Sequence, residues 1–142
     1  MANSEDVFVL AREAHKGQVD KQYRNYFNFH LWPVAQLLLP YGQAAYQAGL
    51  LHDILEDTDY DQDMLFRENI DPFVVDAVTS VTKWPNEPYF DMIHRAKAHQ
   101  LGRLVKLADN YVNLNGLSGI EDPETRKRLK EKYTKARKIL EF

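Results

Sequence analysis

Asp-Pro occurs twice in this chain, at Asp71-Pro72 and Asp122-Pro123, and each pair opens a run with apolar residues three and four apart. That is the grammar of a helix start. The carboxylate caps orphan backbone N–H groups, and proline supplies a first residue whose φ is already helical. The same rules read most of the remaining chain as helix. Ser4 is expected to cap a first helix ending near Gly17, followed by a polar and aromatic loop over Val19 to Phe29. Further helices are expected from near Leu31 to before Pro40, from Gln43 to Leu55, and from Gln62 to Glu68. Others should run from Tyr89 to Lys97 and from Gln100 to Leu114. The β-branched run "VVDAVTSVT" is the one plausible strand, but its Asp71 cap and the Phe73–Ala77–Val81 spacing favour helix. The expected class is all-α, a single compact helical bundle over residues 1–142.

Composition narrows the function classes. With 44% hydrophobic and 27% charged residues, the chain has the make-up of a globular domain. No apolar run approaches the roughly 18 residues of a membrane span, and the N-terminus lacks the apolar stretch of a signal peptide. The absence of cysteine excludes disulfides and thiolate chemistry and suits a cytoplasmic setting. Between Arg126 and Lys138 there are eight basic residues and one acid, a local net of +7 that leaves −10 for the rest of a chain of net −3. An acidic body suits a cation better than a nucleic acid. The basic segment reads as a solvated helix face.

The stretch "LLHDILEDT", Leu50 to Thr58, puts His52, Asp53, Glu56 and Asp57 directly behind the apolar run "AAYQAGLL". Buried charge must be compensated. Neighbours on a helix point about 100° apart, so His52 and Asp53 converge on one atom only at the edge of a cavity. A neutral nitrogen beside an anionic oxygen is a donor pair for a divalent transition metal. Two further ligands are candidates: His30, opening the second helix, and Asp109, inside the apolar stretch "RLVKLADNYVNL".

Taken in order, "AHKGQ" (Ala14–Gln18), His30 of "NFHLWPVA", "GLLHDILEDT", "SVTK" (Ser80–Lys83) and "VKLADNYVNL" resemble the HD-domain metal-dependent phosphohydrolases. Within them the chain looks like the hydrolase domain of RelA/SpoT-type enzymes and small alarmone hydrolases. The resemblance implies one HD domain with His30, His52, Asp53 and Asp109 as ligands of manganese. It implies removal of the 3′-pyrophosphate from guanosine tetra- or pentaphosphate. The family's acidic pair falls on Glu56 and Asp57, and its later asparagine on Asn113. Glu56 lies one helical turn beyond His52 and Asp53 and Asn113 one turn beyond Asp109, so each pair shares a face. For Asn113 a structural hydrogen bond and a catalytic role stay open.

The chain departs from the family where substrate cations are expected. In "GQVDKQYRNYFNFH", Asp20 stands where the family has arginine, Lys21 is kept, and the segment is one residue longer. Arg24 is the candidate replacement, and Tyr26 or Phe27 takes the aromatic role. Lys83 and Lys106 are further phosphate candidates, with Lys106 equally placed to balance the acidic site. Trp32 and Trp84 are expected in the core. Two other readings remain: a phosphatase acting on another nucleotide, such as NADPH or a (deoxy)nucleoside phosphate, and an HD module that senses a nucleotide without turning it over.

Overall fold

The computed structural model describes residues 1–142 and contains no strand. Nine helices follow in order: α1 (Ser4–Ala14), α2 (Trp32–Leu38), α3 (Gln43–Leu51), α4 (Ile54–Asp57), α5 (Gln62–Arg67), α6 (Pro72–Val81), α7 (Tyr89–Ala98), α8 (Gln100–Asn115) and α9 (Pro123–Glu141). None is long and apolar enough to cross a membrane. Asp71 and Asp122 cap α6 and α9 as their sequence signature predicts, accepting from the N–H groups of Phe73 and Thr125.

The start of α1 differs from expectation. Asn3, with extended backbone, is the cap, and it exchanges hydrogen bonds with Asp6 in a capping box. Ser4 is inside the helix, where its hydroxyl donates to Gln43 and accepts from Gln47 at 3.0 Å. The residue expected to cap α1 instead ties it to α3.

The core is built on α2, α3 and α8. Leu31, Val34, Ala35, Leu38, Leu50, Leu51, Ile54 and Val105 are almost wholly removed from solvent, and burying each large aliphatic side chain contributes roughly 1.5–3 kcal/mol. The small residues of α3 set its approach to α2. A Cβ on Gly49 would stand 2.7 Å from Leu38 Cδ1 and 3.0 Å from Ala35 Cα, so glycine there is a packing requirement. Trp32 joins the core edge-on against Phe8 and Tyr46. Trp84 does not: it is 39% exposed in the turn between α6 and α7.

Two departures from the expected helices shape the site. The helix expected from Gln43 to Leu55 breaks at His52 and Asp53. His52 keeps helical dihedrals, but Asp53 leaves them at φ −103°, ψ 2° before α4 resumes. The expected loop over Val19 to Phe29 is a small hairpin, bridged antiparallel between Val19 and Asn25. It runs into a π-helical turn at Phe27–Leu31 that continues directly into α2. Within this turn His30 is buried, its side chain delivered to the interior.

Candidate active site

The break after α3 answers how adjacent residues reach one point. With Asp53 out of helical register, its Oδ2 stands 3.2 Å from His52 Nε2. The π-turn brings His30 Nε2 to 3.2 Å from His52 Nε2 and 3.6 Å from Asp53 Oδ2. From the middle of α8, Asp109 Oδ1 lies 2.9 Å from His30 Nε2 and 3.4 Å from His52 Nε2. Four side chains from three separate stretches thus bring two nitrogens and two oxygens together: His30, His52 and Asp109 present atoms within 4.8 Å of one another, and Asp53 stands against both histidines. His52 is 1% exposed.

The chemistry of this donor set fits a divalent metal ion. The Gly49 carbonyl lies 2.6 Å from His52 Nδ1 and so accepts its proton. In the neutral ring Nε2 is then a bare lone pair aimed at the others. Such a cluster repels itself unless something positive is at its centre. Burial works against charge on His52, but the Asp53 and Asp109 carboxylates outweigh it and raise its pKa well above the usual histidine range. Burial likewise opposes charge on Asp53 and Asp109. His52 outweighs it at Asp53, and Lys106 with the two histidines at Asp109, so both carboxyls titrate below the ordinary range. The centre is preorganised to attract positive charge.

Two further side chains buttress this cluster. Lys106, only 9% exposed, places Nζ 2.8 Å from Asp109 Oδ2. Of its two expected roles the geometry favours balance of the acidic site. The Tyr26 hydroxyl donates to Asp53 Oδ2 at 2.5 Å, and its ring stacks on His30 with centroids 5.0 Å apart. Burial, then the charge of Asp53, raises the Tyr26 pKa, so the phenol stays a donor. Tyr26→Phe keeps the stack and loses the donor. Outer-shell contacts of this kind typically contribute 10–100-fold to metal affinity. We expect Tyr26→Phe to weaken divalent-metal binding by at least about tenfold, measured by calorimetric titration, with the helical content unchanged.

The centre opens into a cleft of about 500 Å³. Glu56, Asp57, Asn113, Lys21, Arg24, Tyr26, Lys83 and Lys106 all line it. Glu56 Oε1 accepts from the backbone N–H of Lys83 at 2.8 Å, and Asn113 Nδ2 donates to Asp109 Oδ1 at 3.3 Å. Partial burial, then the charges of Asp53 and Glu56, push Asp57 up to about 7. The motif "AHKGQ" braces this acidic turn. His15, buried, hydrogen-bonds through Nδ1 to Gln18 Oε1 at 2.7 Å, and Gln18 Nε2 donates to the Asp57 carbonyl at 2.9 Å.

Phe27 is a correction. It is 4% exposed and packs edge-on against Phe8, centroids 5.0 Å apart, so it belongs to the core and not to the cleft. Phe29 lines the cleft in its place. Arg24 reaches the cleft but is already engaged. Its Nε pairs with Asp20 Oδ2 at 2.9 Å, and its guanidinium lies 4.6 Å from the Phe29 ring centroid. Sequence reasoning also passed over Tyr89, Lys132 and Tyr133, all of which line the cleft. The signal was present in α9, where Leu129, Ala136 and Leu140 form the buried stripe and Tyr133 falls one turn beyond Leu129. Lys132 Nζ sits 4.1 Å from the Tyr89 ring centroid, so the basic segment is only partly a solvated face.

No protein-family model matches the chain. It is 30% identical over 134 residues to the guanosine-3′,5′-bis(diphosphate) 3′-pyrophosphohydrolase of Haemophilus influenzae. That match takes in 85% of this chain and 19% of the relative, so the chain spans about a fifth of that protein's length. Among solved structures it superposes on a metazoan ortholog of SpoT, a protein that hydrolyses ppGpp, with a TM-score of 0.81 and 25% identity. The superposition covers 99% of this chain and 84% of the other. By sequence and by fold the chain resembles the RelA/SpoT-type hydrolases.

Proposed function

We propose that residues 1–142 act as one catalytic domain, a manganese-dependent hydrolase that removes the 3′-pyrophosphate from guanosine tetra- or pentaphosphate to leave GDP or GTP. The observation that carries this reading is the convergence of two histidines and two aspartates at the floor of a cleft. Two further carboxylates and several lysines share that cleft. His30, His52, Asp53 and Asp109 would hold the ion. When bound, a divalent ion polarises a phosphoryl oxygen and makes water acidic enough to deprotonate near neutral pH.

The remaining work falls to this chain's own side chains. Glu56, fixed at Oε1 by the Lys83 N–H, has Oε2 free to orient water and take its proton. Asp57, poised near neutrality, is suited to hand a proton to the departing oxygen. Lys21, Lys83 and Lys132 supply cationic charge for the phosphates, while Lys106 stays committed to Asp109. Tyr26, Phe29 and Tyr89 offer aromatic surface to the nucleoside. Incubation with Mn²⁺ and ppGpp should release pyrophosphate at a rate that His52→Ala or Asp53→Asn abolishes; no release would defeat the proposal.

One observation favours a second reading, a phosphatase of another nucleotide. Asp20 neutralises Arg24 in the hairpin, which alters the charge offered to the substrate. A panel including NADPH and deoxynucleotides, assayed for phosphate against pyrophosphate, separates the two.

The titration of Asp57 gives a pH test on the metal-free protein. Its folded pKa is raised above the ordinary 3.8 to about 7, so folding disfavours its charged form. Its contribution to stability is therefore complete below about pH 4 and lost as pH rises through about 7. Asp57→Asn should match the wild type in denaturant midpoint near pH 4 and exceed it at pH 8. Equal midpoints at both pH values would contradict this.

A further inference from the structure

We propose that Arg95, on α7 and outside the cleft, is a positioning residue that aims the backbone N–H of Lys83 at Glu56. This rests on the reading of Glu56 as the carboxylate that handles the water proton.

The turn between α6 and α7 carries no regular structure, yet its peptide units are fixed. Arg95 donates through Nη2 to the Thr82 carbonyl. The same guanidinium holds Glu87, through Nη1 to Oε2 and through Nη2 to Oε1, the latter at 3.1 Å. Glu87 Oε1 in turn accepts from the Trp84 N–H at 3.1 Å. The peptide groups on either side of Lys83 are therefore both tied, directly or through Glu87, to one planar guanidinium. The Lys83 N–H belongs to the first of these peptide groups, the one whose carbonyl Arg95 holds, and it points at Glu56 Oε1, 2.8 Å away.

The alternatives for this side chain are few. Arg95 does not line the cleft, so it makes no contact with substrate there. Its hydrogen bonds all go to the turn, to the Thr82 carbonyl and the Glu87 carboxylate. A charged two-pronged donor suits two acceptors at fixed spacing, which a single ammonium on a flexible stem does not reproduce. Without the clamp the turn keeps its ends on α6 and α7 but loses the orientation of the Lys83 peptide. Glu56 then loses the donor that holds its carboxylate in place. The expected signature is a fall in kcat larger than any change in KM, since of the cationic side chains assigned to the phosphates Lys21 and Lys132 lie outside this turn and only Lys83 sits on it.

The test combines kinetics with hydrogen exchange. Arg95→Met should lower kcat about tenfold with KM within about twofold, and the loss should largely vanish in a Glu56→Gln background. Exchange of the Lys83 amide should rise about tenfold while that of Leu50, in the core of α3, stays unchanged. Glu87→Gln, which keeps an acceptor but weakens the fork, should give the same pattern at smaller amplitude and serves if Arg95→Met does not fold. Unaltered Lys83 protection in both variants, or an equal kcat loss with and without Glu56, would overturn the proposal. If Glu56→Gln leaves no measurable rate, the exchange result decides. A wild type inactive on every nucleotide would defeat the hydrolase reading instead, and Lys83 exchange would still report on the clamp.

Discussion

Asp53→Asn will leave a folded protein with kcat/KM reduced at least about 10³-fold, a loss of roughly 4 kcal/mol of transition-state stabilisation. The substitution is nearly isosteric, and the amide oxygen can still accept from Tyr26. What disappears is one of two anions beside the paired histidines, its Oδ2 3.2 Å from His52 Nε2 and 3.6 Å from His30 Nε2. In the metal-free protein that anion is offset by His52, whose pKa the two carboxylates raise, so its removal does not expose an unpaired cation. Circular dichroism and the thermal midpoint without metal should therefore stay close to wild type while pyrophosphate release collapses. Retention of more than a tenth of the wild-type rate would show that Asp53 lies outside the chemistry.

Lys106→Met will be the most destabilising single change at the site. Lys106 is almost wholly buried with its ammonium 2.8 Å from Asp109. Burial alone would lower its pKa, but Asp109 outweighs that and raises it. A raised folded pKa means the pair's contribution is fully present below the ordinary lysine value of 10.5 and is lost only above the folded one. Breaking a buried pair by deleting one partner typically costs about 3–5 kcal/mol because the other charge is stranded. For a domain of this size that lowers the thermal midpoint by roughly 10 °C. Adding Asp109→Asn should recover much of the loss, because it removes the stranded anion. If the two losses simply add, the ion pair is not what Lys106 provides.

The helices were legible wherever local chemistry decides them. Asp71-Pro72 and Asp122-Pro123 start helices as read, and the Phe73–Ala77–Val81 spacing outweighed β-branching in α6. The clustering was legible through residue type: histidine and aspartate in apolar context require a partner, and His30, His52 and Asp109 lie together with Asp53 beside His52. Local pattern failed where tertiary demands override it. Nothing in "AGLLHDILED" marks a break, since Ala48, Leu51 and Leu55 keep helical spacing through it, yet convergence of adjacent ligands needs Asp53 out of register. Tyr26 and Phe27 are one residue apart in an aromatic run, and only the π-turn decides which faces the cleft. Asp20's grip on Arg24 depends on the hairpin fold. The role of α9 lay hidden behind its charge, because a lysine stem that crosses an aromatic ring reads, in sequence, like any solvated lysine.

The central claim is that four side chains hold one divalent ion. Calorimetric titration of Mn²⁺ into metal-stripped wild type and into His30→Ala, His52→Ala, Asp53→Ala and Asp109→Ala, with thermal midpoints alongside, tests it directly. One ion bound per chain, with a rise in midpoint that each substitution abolishes, is the predicted result. Undiminished stoichiometric binding in His52→Ala and Asp109→Ala, or no binding by the wild type, would contradict it.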